Sequence, residues 1–226
     1  MNTSLNSKHR TQNLEQASEE HYDLIVIGGG ITGSGIALDA ASRGMKVLLL
    51  EMQDFAAGTS SRSTKLIHGG LRYLKQLKFG LVRQVGRERV ILYQNAPYLV
   101  YPEKLLLPIY KSGSLGFTST SVALWFYDLL AGVQKKERRK MLSKQKARQE
   151  ESMLSEVGLL GAGLYYEYRT DDARLTMEVL KTAVTCGAQA FNYLELNDFI
   201  QSDGQITGVK TTDLIHGNAY EFSAKY

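Results

Sequence analysis

The stretch that most constrains this chain is Gly28-Gly29-Gly30-Ile31-Thr32-Gly33, because of what flanks it. Before it, residues 22–27 form a short apolar run rich in β-formers, as expected of a strand buried on both faces of a parallel sheet. After it, residues 31–43 are rich in Ala and other small residues and read as a helix closed by Gly44. Residues 46–50 form a second buried strand, and Glu51 follows. The chain therefore opens with a βαβ unit that carries a G-x-G-x-x-G turn and an acidic residue about 20 positions on.

Each part of that pattern has a physical task. Gly28 permits the tight turn out of the strand. Gly30 has no Cβ, so a pyrophosphate can approach the backbone and the N–H groups that open the helix. Gly33 and Gly35 are expected to let the helix pack closely on the sheet. Glu51 can accept hydrogen bonds from both ribose hydroxyls of an adenosine and would repel a 2′-phosphate. With the parts in register, an adenine dinucleotide is favoured over a plain glycine-rich strand-to-helix turn.

The choice between FAD and NAD rests on what comes next. A nicotinamide-type domain would continue with further βαβ units. This chain instead enters a run from Gly58 to Tyr73 that is dense in Gly, Ser, Thr and basic side chains. Hydroxyls, a lysine and exposed backbone N–H groups suit an extended cofactor with phosphates and an isoalloxazine ring. FAD is the expected cofactor.

Further on, helical patterning covers about 81–99 and 117–131, with a strand at 105–110 between Pro102 and Pro108. The charged run 134–151 reads as a solvated helix followed by a loop. A strand at 163–169 leads to Thr170-Asp171-Asp172, which offers N-cap chemistry for a helix over 173–186 that Gly187 ends. Strands at 189–196, 206–212 and 220–226 finish the chain, with turns at 202–204 and 216–218. Residues 1–21 read as a disordered arm without core-forming residues. The expected division is residues 22–100 for the FAD-binding segment and 101–226 for part of a substrate domain with a β-meander. The fold class is α/β: a Rossmann-like FAD domain of the glutathione-reductase type, followed by part of an α+β substrate domain.

Composition narrows the function classes. A net charge of +4 and pI near 9.0 favour anionic ligands or an anionic membrane surface. They do not reach the level of a nucleic-acid binder, and the basic run 135–140 lacks interleaved aromatics. Cys186 is the single cysteine, so no internal disulfide can form and no zinc site is expected. Its expected place is a small buried site near a helix end. The first 20 residues lack an apolar h-region, and no stretch of about 18 apolar residues exists. A cytoplasmic location follows as the expectation. Residues 121–130, with Trp125, Phe126 and Tyr127, precede basic residues 135–140 and can be read as a membrane-surface element or as a domain helix before a solvated one.

The strings from Tyr22 to Glu51 and from Thr59 to Tyr73 resemble the front of the FAD-dependent, quinone-linked glycerol-3-phosphate dehydrogenases and their oxidase relatives. Ser63-Thr64-Lys65-Leu66-Ile67-His68-Gly69-Gly70-Leu71-Arg72-Tyr73 is the most specific part, and Asp171-Asp172-Ala173-Arg174-Leu175 adds to it. The resemblance implies oxidation of sn-glycerol 3-phosphate to dihydroxyacetone phosphate, with hydride passing from C2 to flavin N5 and electrons passing to a quinone. It implies that Gly28, Gly30, Gly33, Glu51, Thr59, Ser60, Ser61, Ser63, Lys65, Leu66 and His68 line the FAD. It places Arg72 on the substrate phosphate as a charge-assisted fork, with Tyr73 beside it. His68 is open between a proton acceptor and a packed residue bonded to backbone near the flavin, and the packed reading is favoured. It also implies peripheral attachment at the inner face of the membrane.

Members of that family are more than twice this length, so a chain that stops short is expected to be marginally stable and weakly active or inactive. Two rival readings stay open at this stage. One is a non-catalytic FAD-binding fragment. The other is a related flavin oxidase of amines or amino acids, which would need no phosphate clamp at Arg72.

Overall fold

The computed structural model describes residue 5, residues 7–68 and residues 70–226, apart from the side chains of Ser7, Arg72 and Lys75. The chain divides into two compact units, residues 1–64 with 171–226, and residues 65–170. This replaces the contiguous division expected at residue 100. The second unit is an insertion into the first, and the chain returns to the first unit at Asp171.

The first unit contains α1 (Arg10–Ser18), β1 (His21–Tyr22), β2 (Leu24–Ile27), α2 (Ile31–Ser42) and β3 (Val47–Leu50). The second contains β4 (Leu66–Ile67), α3 (Leu71–Lys75), α4 (Phe79–Asn95), β5 (Val100–Tyr110), α5 (Phe117–Leu130), β6 (Lys140–Ser143), α6 (Lys144–Glu150) and β7 (Leu159–Thr170). The first then resumes with α7 (Asp172–Thr185), β8 (Gln189–Phe191), β9 (Leu194–Ser202), β10 (Gln205–Asp213) and β11 (Ala219–Ala224).

In the first unit β3 is the centre of a parallel sheet of order β2-β3-β8. Its four residues alternate between two cores. Val47 and Leu49 join Ala37, Ala40 and Ala41 of α2 and Leu180 and Ala183 of α7. Leu48 and Leu50 face the other way, toward Phe191, Phe222, Tyr22 and Leu14. A strand buried on both faces needs an unbroken apolar run, which is what residues 47–50 supply. Each fully buried leucine contributes about 1.5–3 kcal/mol. The second face is covered by a sheet of order β1-β11-β10-β9, parallel between β1 and β11 and antiparallel elsewhere. The β9–β10 hairpin turns on Asp203 and Gly204, both at positive φ, the backbone of a type I′ turn.

Two expectations fail in this unit. Residues 10–18 are helical, and Leu14 and Ala17 are fully buried in the core. Their spacing puts two small apolar side chains on one helical face, too short a signal to stand out in a polar segment. The expected arm also includes residues 1–4 and 6, which lie outside the described residues. Cys186 is exposed as the C-cap of α7, so it is not the small core residue expected.

In the second unit β7 is flanked by β5 on one side and by β4 and β6 on the other, all antiparallel. α5 packs on β7 at Gly163, where a Cβ would fall 2.5 Å from Leu124 Cδ1. Strand β5 begins at Val100 and runs through both Pro102 and Pro108, which an edge strand tolerates because its outward N–H groups need no partner. Residues 134–151 are not simply a helix and loop. They hold a 3₁₀ turn at Lys135–Glu137, then β6, then α6 capped by the Ser143 hydroxyl. Met141 and Leu142 supply the apolar pair that lets β6 join the sheet.

Candidate functional site

Strand β2 ends at Ile27, and Gly28 takes φ +108°, a conformation that side chains rarely adopt. The chain then enters α2 through Gly30 in extended conformation, an N-cap residue without a side chain of its own to cap the helix. At Gly33 a Cβ would fall 1.9 Å from the Gly28 carbonyl oxygen, so the close approach of helix to turn depends on that glycine. Gly35 has nothing within 4 Å of such a Cβ. The packing role expected of both glycines belongs to Gly33.

Glu51 follows β3 and lies across from this turn. Its Oε2 accepts the Gly29 N–H at 2.7 Å, and its Oε1 accepts the Gln53 N–H at 2.8 Å. A carboxylate has about four lone-pair sites, so two backbone donors fix its orientation and leave one free site on each oxygen. That is the acceptor pair a ribose diol requires. At the helix N-terminus Ser60 Oγ accepts the Ile31 N–H at 2.9 Å and lies 3.1 Å from a Cβ built on Gly30. An oxygen at this N–H is what a diphosphate would supply, so the donor set fits an adenine dinucleotide.

The other expected cofactor residues divide between the units. Thr59, Ser60, Ser61 and Ser63 belong to the first, within a tight turn where the Ser61 and Arg62 N–H groups donate to the Gly58 and Thr59 carbonyls. The Ser63 hydroxyl donates to Asp172, at the start of α7. Asp171 caps that helix through its carboxylate, which accepts the Arg174 N–H. Lys65, Leu66, His68, Arg72 and Tyr73 belong to the second unit. Lys65 stands at φ +62° with its carbonyl accepting the Thr170 N–H, and Leu66 pairs with Arg169 in the sheet. Arg72 is on α3 beside Tyr73, with its side chain outside the described part, as is Gly69.

His68 and Tyr73 line a cavity of about 740 Å³ within the second unit. Its walls are mostly apolar, from Leu71, Leu74, Leu107, Ile109 and Leu124, with Ser114, Thr120, Tyr165 and Glu167 as polar groups. His68 is exposed there instead of packed against backbone as favoured above.

Beneath the cavity is a polar cluster that the sequence analysis did not single out. Glu167 Oε2 and Arg89 Nη1 form an ion pair at 3.2 Å, with both side chains 2% exposed. The Tyr127 hydroxyl donates to Glu167 Oε1 at 3.2 Å and accepts from Arg89 at 3.0 Å. The Arg89 guanidinium also lies 4.7 Å from the centre of the Tyr168 ring. Burial, then the Glu167 charge, pushes the Tyr165 phenol up to about 12. Burial raises Tyr127 further still. Two local signals mark this cluster. Arg89 continues the buried α4 positions Val82 and Gly86, and Glu167 interrupts the aromatic run Tyr165, Tyr166 and Tyr168 of β7.

The model of the family described as FAD dependent oxidoreductase matches residues 23–221. The aerobic glycerol-3-phosphate dehydrogenase of Staphylococcus epidermidis is 53% identical over 224 residues, 99% of this chain and 40% of the relative. That of Bacillus subtilis is 53% identical over 225 residues, again 40% of its length. The chain thus spans about 40% of the curated relatives it matches. Among solved structures, a glycerol-3-phosphate dehydrogenase from Bacillus halodurans complexed with FAD aligns with TM-score 0.75 and 41% identity, over 96% of this chain and 36% of that one. An L-proline dehydrogenase from P. horikoshii aligns with TM-score 0.67 at 20% identity, over 91% of this chain and 51% of that one, a likeness of fold alone.

Proposed function

We infer, from the premise that this chain belongs to the FAD-dependent oxidoreductase family, that it forms the adenosine-binding and part of the substrate-binding portion of an enzyme oxidising sn-glycerol 3-phosphate to dihydroxyacetone phosphate. The observation that carries the reading is the fixed Glu51 carboxylate opposite a helix N-terminus whose first N–H already holds a hydroxyl oxygen, in a chain 53% identical to glycerol-3-phosphate dehydrogenases.

FAD, when bound, supplies the two-electron acceptor for the C2 hydride, and a quinone is the proposed destination of the electrons. The chain's own residues bind and orient. Glu51 accepts from the ribose hydroxyls, and at Gly30, which has no side chain in the way, a diphosphate oxygen takes the place that Ser60 Oγ holds at the Ile31 N–H. Thr59, Ser60, Ser61, Ser63, Lys65, Leu66 and His68 are the further proposed FAD contacts. Arg72 holds the substrate phosphate with a planar fork, and Tyr73 stands next to it on the same helix. The apolar cavity wall limits water around the substrate carbon.

The visible spectrum tests this reading. FAD added to this chain should be retained, and in a chain of the relatives' full length anaerobic glycerol 3-phosphate should bleach it, while proline and glycine leave it unchanged. Retained flavin that glycerol 3-phosphate does not bleach would reduce the chain to a cofactor-binding module. Bleaching by an amino acid would move the substrate class to the amine and amino-acid oxidases. Arg72→Ala should raise KM for glycerol 3-phosphate far more than it lowers kcat.

We also propose that the second unit meets an anionic membrane surface. No helix among the described residues is long and apolar enough to cross a membrane. However, α5 leaves Val122, Trp125 and Leu129 exposed at 59%, 54% and 63%, on one helical stripe. Lys135, Lys136, Arg138 and Lys140 follow as exposed cations. Sedimentation with phosphatidylserine vesicles should fall when those three apolar residues become serine. Unchanged sedimentation would remove the membrane from the reading.

A further inference from the structure

The adenosine edge of the first unit is braced from a distance. Met52, Gln53 and Asp54 are exposed in succession after β3, yet Glu51 at the head of this loop is held in one orientation. Part of the restraint is local. A Cβ on Gly29 would fall 2.7 Å from the Phe55 ring and 2.9 Å from Glu51 Cβ, so the loop lies flat on the glycine turn. The rest comes from the turn between β8 and β9. The Tyr193 N–H donates to the Gln53 carbonyl at 3.0 Å, and the Leu194 N–H to the Glu51 carbonyl at 2.9 Å. Asn192 Nδ2 donates to Asp54 Oδ1 at 2.9 Å. That turn is strained, since Tyr193 sits at φ +53°, and such a residue persists only where its surroundings hold it.

What holds it is α1. Arg10, the first residue of that helix, donates from Nη2 to the Asn192 carbonyl and from Nη1 to Asn192 Oδ1 at 3.4 Å. The same guanidinium is anchored on Asp213, with Nη2 at 2.9 Å and Nε at 3.2 Å from Oδ1. The anchor is deep, for the Asp213 side chain is 0% exposed and that of Arg10 only 10%. A planar fork that spans an acid and a neighbouring turn is a rigid strut. The path runs from Arg10 to Asn192, then Asp54, then the loop that carries Glu51.

We propose that Arg10 is a positioning residue for the adenosine end of the FAD site, acting through Asn192 and Asp54 to hold Glu51. The proposal rests on Glu51 as the ribose acceptor. It makes the N-terminal helix part of the cofactor site without touching the cofactor.

FAD affinity measured by flavin fluorescence on titrating the apo-protein tests it. Arg10→Ala should weaken FAD by roughly three- to tenfold, the order that one net hydrogen bond's worth of organisation gives. Asn192→Ala should do the same while leaving the Arg10–Asp213 pair in place, and it decides the matter if Arg10→Ala does not fold. In a Glu51→Ala background Arg10→Ala should add nothing, a coupling that a purely structural tie would not produce. Unchanged affinity in Asn192→Ala, or an equal loss with and without Glu51, overturns the strut. A lowered melting temperature of the apo-protein with unchanged FAD affinity overturns it as well. If Glu51→Ala itself leaves affinity unchanged, or the wild-type protein takes up no FAD, the reading of Glu51 fails first and the strut falls with it.

Discussion

The two units differ in how fully their buried charged groups are satisfied. In the first, Asp213 is fully enclosed but meets the Arg10 guanidinium, the His216 ring at 2.8 Å and the Ile215 N–H at 3.2 Å. In the second, Glu137 receives the Tyr168 hydroxyl on Oε2, while its Oε1 faces only the Lys136 ammonium at 3.9 Å and has no hydrogen-bond partner among the described residues. Arg89 Nε and Arg139 Nε are in the same position. The contrast matches the work proposed for each unit. The first is a frame whose polar groups serve to fix a backbone. The second leaves Arg89 Nε without such a partner, in the residue that pairs with the cavity-lining Glu167, and a buried group of this kind calls for a functional account.

The largest expected effect separates two glycines of one helix in the first unit. Gly33→Ala places a methyl 1.9 Å from a backbone oxygen, which neither partner can yield without moving α2 off the turn. The loss should exceed the usual overpacking cost of about 1–3 kcal/mol and abolish FAD retention. Gly35→Ala meets open space and gains helix propensity, so it should be neutral or stabilise by up to about 1 kcal/mol. Urea unfolding of the two variants checks this, and similar midpoints would mean that the frame is softer than its geometry.

Next in size is the pair beneath the cavity. Arg89→Ala leaves Glu167 charged and enclosed, and breaking such a pair costs about 3–5 kcal/mol. Trp125 is the single tryptophan and belongs to the second unit, so its fluorescence reports that unit. Replacing both partners with apolar residues of similar volume should restore most of the stability. If the double variant is instead as unstable as the single one, the pair is needed for the packing of β7.

These two regions also differ in how far the sequence foretold them. The βαβ unit and its turn are local. Gly28, Gly33 and Glu51 lie within one stretch of chain, and the expected strands and helix fall within a residue or two of β2, α2 and β3. The Arg10 strut joins residues more than 180 positions apart, so no window of sequence contains it. The same holds for Arg89 and Glu167, which meet only when α4 and β7 pack. β6 was hidden differently, because two apolar residues inside a charged run are too few to announce a strand. The division into units was misjudged because the returning helix α7 reads like any other, although its Ala183 and Leu180 belong to the core of α2.

A smaller effect, opposite in sign between the units, is expected with pH. Burial alone would raise Asp213, but Arg10, His216 and the Ile215 N–H outweigh it and hold the acid below the ordinary carboxylate range. Its stabilisation is therefore present above the unfolded pKa of about 3.9 and is lost as pH falls through the lower folded value. Asp128 is the reverse: burial raises it in spite of the Arg139 N–H and nearby arginines. Its contribution is present below about pH 3.9 and is lost as pH rises through the raised folded value. Acid should thus loosen the first unit while it relieves this one cost in the second. Asp213→Asn should flatten the acid limb of the melting curve, and Asp128→Asn should flatten the opposite slope. A shared pH profile for both variants would erase the contrast.

The smallest effect marks where the first unit breaks its own rule. Ser34 is fully buried in the first turn of α2, and its hydroxyl has no hydrogen-bond partner among the described residues. A buried hydroxyl without a partner costs about 1–3 kcal/mol relative to a satisfied one, and alanine is also the better helix former. Ser34→Ala should accordingly stabilise the apo-protein by about 1 kcal/mol, read as a shift in the urea midpoint with unchanged slope. If it does so and FAD affinity is unchanged, the hydroxyl is only an imperfection in the frame. If stability rises while FAD affinity falls, the frame too keeps a polar group in reserve for its ligand, and the two units differ in degree instead of kind.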